Sequence, residues 1–98
     1  MVTCASRKEA GKISARLLKK RLVACIGILP GIKSEYWWEG KLNCAAEIMV
    51  TMKTISSNFK KIEAEIKRLH SYKVPEIIAL PIVMGSRDYL DWISRTAV

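Results

Sequence analysis

Residues 22–54 read LVACIGILPGIKSEYWWEGKLNCAAEIMVTMKT, and the fold turns on them. Leu22 to Leu29 is an apolar run of strand length, broken at Pro30-Gly31 and resumed from Ile32 to Trp38. Proline has no N–H to give a ladder, so within a strand it belongs at an edge or a bulge, and the stretch reads as one long, kinked strand. Glu39-Gly40 is the turn. From Glu47 to Thr54 the chain alternates, with Ile48, Val50 and Met52 on one face and Met49, Thr51 and Lys53 on the other. That is the pattern of a half-buried antiparallel partner.

Upstream, Met1 to Ala5 is short and apolar, and Ser6-Arg7-Lys8-Glu9 follows as a capping box, with serine as N-cap and glutamate reaching back from three residues on. A helix starts there: Ala10, Ile13, Leu17 and Leu18 recur at helical spacing, while Lys8, Lys12, Arg16, Lys19 and Lys20 take the other sides. Downstream, Ser56, Ser57 and Asn58 are N-cap candidates for a second helix with Phe59, Ile62, Ile66 and Leu69 as its buried stripe. Its far side carries Lys60, Lys61, Glu65 and Lys67. The stretch from His70 ends that helix, because Pro75 pushes Val74 out of the α region, and Ile77 to Val83 is expected to form the last strand. After Gly85-Ser86, Tyr89, Leu90, Trp92 and Ile93 make a short terminal helix.

This order is an α+β fold, the β-α-β-β-α-β sandwich of ferredoxin-like domains with an extra C-terminal helix. It implies a four-stranded antiparallel sheet with helices on one face. The 98 residues suit a single domain, 1–98. Half of them are hydrophobic, a rich supply for a chain of this size, so a share of the apolar surface is expected in a subunit interface. Met49, Tyr36 and Trp37 are placed on the open sheet face, which packing of sheets between subunits would cover.

The balance of 17 Lys+Arg against 9 Asp+Glu gives a formal charge of +8, so an anionic partner is considered first. The basic residues crowd the first helix, where a solvated helix face accounts for them. Cys4, Cys25 and Cys44 are widely spaced with no C-x-x-C pair, which favours reduced thiols and a cytoplasmic setting over a disulfide framework. The start lacks a signal-peptide pattern, and no apolar run approaches the roughly 18 residues of a membrane span. No nucleophile motif, paired carboxylates, H-E-x-x-H or glycine-rich phosphate loop is present, so the chain reads as a protein without catalytic activity.

Leu22-Val-Ala-Cys25, Leu29-Pro-Gly31, Tyr36-Trp-Trp-Glu-Gly-Lys41, Lys53-Thr54, Leu69-His-Ser-Tyr-Lys-Val-Pro-Glu-Ile-Ile-Ala-Leu-Pro81 and Asp88-Tyr-Leu-Asp-Trp92 resemble, in order and spacing, the CutA divalent-cation tolerance family. The resemblance covers essentially the whole chain. It implies a ferredoxin-like homotrimer with sheets facing inward and the hairpin reaching across to neighbours. It also implies a binding or regulatory role in metal homeostasis or signalling, with copper or another divalent cation as the cofactor. Some bacterial members are credited with a metal site of two adjacent histidines and a first-strand cysteine. Here the pair reads Leu69-His70, the cysteine position falls on Val2, and His70 alone carries over. Ser71 stands where proline is usual, and Asn43-Cys-Ala-Ala46 replaces a typically acidic stretch.

Two constellations follow. His70, with Cys4 or Cys25 as a softer second ligand, is the candidate metal site; the alternative is a histidine near the last helix carbonyls, favourable with the helix dipole. Trp38, Glu39, Lys53, Tyr72, Lys73 and Glu76 are the candidate ligand pocket between subunits, suited to a small anionic or zwitterionic molecule, with interface packing as the alternative. Two other functions compete. One is a nucleic-acid-binding module, against which stand the absence of stacking rings on Met1 to Ala5 and Glu47 to Thr54 and of an RNP signature. The other is a scaffold docking another protein through the terminal helix or charged rim.

Overall fold

The computed structural model describes residues 1–98. Its elements run β1 (Val2–Cys4), α1 (Arg7–Lys19), β2 (Cys25–Trp38), β3 (Lys41–Lys53), a 3-10 turn (Ser56–Asn58), α2 (Phe59–Leu69) and α3 (Arg87–Thr96). The sheet is antiparallel in the order β1-β3-β2. The hairpin thus supplies two strands of three, and β2 lies at an edge.

Its two irregular points have local causes. Trp38 pairs with Lys41 across Glu39 (φ 50°) and Gly40 (φ 76°), a two-residue turn with both residues left-handed, whose twist matches that of the strands. The register shifts between Leu29 and Ile32, where Pro30 donates nothing and Gly31 takes φ 83°. β3 pairs with β2 for its whole length, from Cys25↔Lys53 to Trp38↔Lys41, but meets β1 only from Ile48 to Val50. Beyond Glu47 the hairpin is therefore a two-stranded arm.

Alternation sorts the sheet faces. Val2, Cys4, Ile48 and Val50 point to the helix layer and are buried with Ala10, Ile13, Leu17, Ile62 and Ile66 in one core. Thr3, Glu47 and Met49 take the opposite face, as does Tyr36, which pairs with Asn43. Trp37 pairs with Leu42 and lies on the helix side of the arm, so the expectation that it shares a face with Tyr36 is corrected. Neighbouring strand residues cannot do so.

Helix α1 begins as read: Ser6 Oγ accepts from the Glu9 amide at 3.1 Å, and the Glu9 carboxylate reaches back to the Ala5 amide at 3.0 Å. Leu17 is fully buried, but Leu18 is 44% exposed and falls outside the stripe. At the second helix the anticipated cap is absent, because Asn58 is buried and its amide donates to the Leu22 carbonyl at 3.0 Å. It ties the entrance of β2 to the helix instead. α3 packs Ile93 and Ala97 against Ala24 in a separate small cluster.

The predicted fourth strand is not formed. Ile77 makes one isolated bridge to Val2, and Met1 and Ile78 exchange backbone hydrogen bonds, but the segment runs on irregularly to Gly85. Pairing with β1 stops at that bridge and the Met1–Ile78 bonds, and the rest of the segment makes no ladder. Leu80, Ile82 and Val83 are exposed.

The two helices are joined by charge. Glu65 on α2 holds Lys20 at 2.6 Å, Arg68 at 2.8 Å and Arg16 at 3.3 Å. Hydrogen bonds from Lys20 and Arg68 lower its carboxyl from 4.5 to about 2, against the opposing effect of burial. A carboxyl depressed by folding stabilises the native state above its unfolded value, and the contribution is lost as pH falls through the folded one. The stability of the protein is therefore expected to decline between about pH 4.5 and 2. In Glu65→Gln, urea titrations across that range should show a shallower decline; an unchanged slope would remove Glu65 as a cause.

Candidate functional site

The connection from His70 to Pro75 passes β1 and covers part of the open sheet face. Two arrangements meet there. The first joins β1, α1 and the end of α2: the donor atoms of Cys4, Glu9 and His70 all lie within 4.8 Å of one another. The sequence reading named Cys4 and His70. It treated Glu9 only as a capping residue, and nothing in the local pattern of α1 announces that its second oxygen is turned to the connection.

Each group in this cluster already has work. The Tyr72 amide can only donate, so its 3.0 Å contact makes His70 Nδ1 an acceptor. Nε2 must then carry the proton, and it donates to the Thr3 carbonyl at 2.7 Å. Glu9 accepts from the Ala5 amide through Oε1 and from the Ser71 amide, at 2.7 Å, through Oε2. Burial pushes the Glu9 carboxyl up, but the hydrogen bonds from Ser71 and Ala5 outweigh it, and the net shift is downward. Burial pushes the Cys4 thiol up to about 11, with the charges of Glu9 and Glu47 adding to it. A histidine with both ring nitrogens engaged and its side chain sealed from solvent does not fit a metal ion as folded. The grouping is right in distance, but an ion could enter only by displacing the Thr3 carbonyl or the Tyr72 amide from the His70 ring.

Thiol accessibility gives a direct check. Cys44 is exposed and Cys4 fully buried. Iodoacetamide on the native protein at neutral pH is expected to label Cys44 readily and Cys4 more than ~100-fold more slowly, rising to parity in denaturant. Comparable native rates, read by peptide mass spectrometry, would show that the β1 cluster opens.

The second arrangement is a cleft of about 660 Å³ on the open face. β2 presents Ser34, Tyr36 and Trp38 at alternate positions; the connection supplies Ser71, Tyr72, Lys73, Val74 and Glu76; Thr3 and Glu47 complete the wall. Of the predicted pocket residues, Trp38, Tyr72, Lys73 and Glu76 come together here. Glu39 sits in the hairpin turn, and Lys53 lines a separate apolar groove of about 560 Å³ beside Phe59, Ile77 and Leu80. Neither joins the cleft.

Glu47 was missed. It is 8% exposed, and its Oε2 accepts from the Tyr72 hydroxyl at 2.8 Å. Burial and then the Glu47 hydrogen bond and charge raise the Tyr72 hydroxyl, which stays protonated and donating. Tyr72 also leans on His70, ring centroids 4.8 Å apart. The two arrangements are thus one network, Thr3–His70–Tyr72–Glu47. Glu35 borders the cleft, but it pairs with Cys44 on the other face of the arm, and its carboxylate is held by Lys33 at 3.4 Å.

The family model described as CutA1 divalent ion tolerance protein matches residues 1–96. The chain belongs to this family. The divalent-cation tolerance protein CutA of Archaeoglobus fulgidus is 46% identical over 95 residues, covering 97% of this chain and 92% of that one. Its Thermus thermophilus counterpart is 42% identical over 93 residues, 95% and 90% of the two chains. The solved Thermus thermophilus Cut A1 structure superposes with a TM-score of 0.96 at 40% identity, covering 99% of this chain and 94% of that one. No helix here is long and apolar enough to cross a membrane.

Proposed function

We propose that this CutA-family chain acts as a cytoplasmic homotrimer that binds a small ligand in the open-face cleft and serves divalent-cation tolerance by binding or signalling, without catalysing a reaction. One observation carries the reading: the cleft is walled by two half-exposed rings, Tyr36 and Trp38, above a nearly sealed Glu47. The trimer is supported by apolar surface that a lone subunit leaves in water. Trp37 is 74% exposed and Leu42 63% on the arm, and Leu80, Ile82 and Val83 are exposed on the segment before α3. The free thiols of Cys4, Cys25 and Cys44 suit a reducing compartment.

A second reading has a divalent cation such as copper on Cys4, Glu9 and His70, and their 4.8 Å grouping favours it. It requires the His70 ring to give up the Tyr72 amide or the Thr3 carbonyl, and the thiol to lose its proton.

Native mass spectrometry separates the readings, run before and after one equivalent of copper(II) per chain. A trimer that retains no copper is expected. Stoichiometric copper on the wild-type protein that is lost in His70→Ala would favour the second reading, and a monomer would overturn the oligomeric one.

A further inference from the structure

The cleft just assigned as a ligand site carries an unbalanced charge. Glu47 is 8% exposed, and only its Oε2 has a partner, the Tyr72 hydroxyl. Its Oε1 accepts from no protein donor, and no lysine, arginine or histidine lies within 4 Å of the carboxylate. Oε1 keeps access to the cleft and is not among the sealed polar atoms, so an otherwise largely buried carboxylate can take a counter-charge from a bound molecule. Lys73 is the one basic residue in the wall, and Glu76 opposes it. The aromatic rings of Tyr36, Trp38 and Tyr72 present negatively polarised faces, which attract cations and not anions.

We propose that this cleft binds a small organic cation that bears an N–H donor, an aliphatic ammonium on an apolar or flat body. The ammonium donates to Glu47 Oε1 and takes the place of the missing counter-charge. The body lies against Tyr36 and Trp38, and a cavity of about 660 Å³ has room for a molecule of metabolite size. With Glu47 in the wall, the cleft suits a cation where the sequence suggests an anionic or zwitterionic ligand. The inference rests on the reading of the cleft as a ligand site and adds the charge of the ligand.

The test uses the full chain in its native assembly and three probes of matched shape: phenethylammonium, 2-phenylethanol and 3-phenylpropionate. Shifts of the Trp38 indole and of the Glu47 and Tyr72 amides are followed by NMR. Phenethylammonium is expected to move these resonances and to bind at least tenfold more tightly than the other two. Glu47→Gln, which keeps an acceptor for Tyr72, should remove that preference. Trp38→Leu, which leaves the buried carboxylate intact, should weaken binding of the ammonium if the first variant fails to fold. Tighter binding of the alcohol or the carboxylate at the same resonances would overturn the cationic ligand while keeping the cleft as a binding site. Shifts produced by magnesium or copper ions, and not by the ammonium, would assign Glu47 to an inorganic cation and overturn the proposal. No response to any probe would overturn both this proposal and the reading of the cleft as a ligand site.

Discussion

Leu17→Ala is expected to destabilise the protein by about 2–5 kcal/mol, while Leu18→Ala, one residue along the same helix, costs under about 1 kcal/mol. Leu17 is fully buried where α1 meets α2 and the sheet, in contact with the core built on Ile13, Ile62 and Ile66. Truncating it removes apolar surface from the interior and leaves a cavity, and both effects act against the native state. Leu18 is 44% exposed, so most of its side chain already meets solvent. Because domains of this size hold only about 5–15 kcal/mol in total, the first change would put folding at risk and the second would pass almost unnoticed. Guanidinium titrations at one fixed protomer concentration would measure both, which matters because an assembling protein gains stability with concentration. Equal costs would mean that α1 is rotated from the orientation described.

His70→Ala carries the second large effect, about 2–4 kcal/mol, and it should appear in the presence of a chelator. The imidazole joins the Thr3 carbonyl of β1 to the Tyr72 amide of the connection, and its side chain is sealed from solvent. Removal leaves a part-buried acceptor and a part-buried donor without partners and opens a void beside Tyr72. The loss should reach the cleft, since the Tyr72 ring rests on His70 while its hydroxyl holds Glu47. In Tyr72→Phe the stacking stays and only the hydroxyl goes, so a smaller loss, about 1 kcal/mol or slightly more, is expected. If His70→Ala were neutral in chelator and harmful only with copper present, the histidine would be a ligand and not a strut.

The helices and the hairpin were legible because their signals are local. Ser6 with Glu9, Pro30-Gly31, Glu39-Gly40 and the alternation from Glu47 to Thr54 each act within a few residues, and the structure places them as read. The two errors on helices come from the same source as each other. Leu18 fits the helical period as well as Leu17 does, and Asn58 has the right chemistry for a cap; which leucine is buried and where the amide goes were settled by the packing of α2 and β2. The fourth strand fails for a different reason: Ile77 to Val83 has strand composition, but a strand needs a partner, and β1 offers it one bridge.

Local chemistry by itself determined that this chain forms a kinked hairpin between two amphipathic helices, because turn geometry and side-chain period are properties of neighbouring residues. The whole-chain motif order determined its family. Tertiary structure alone decided the site. It brings Glu9 to a connection that begins some sixty residues later, seats Tyr72 on Glu47 from another element, and leaves Lys53 and Glu39 elsewhere. A carboxylate on an alternating strand carries no mark of whether it will be buried. Burial, and the search for a counter-charge that follows from it, arise only when a distant segment closes over the sheet.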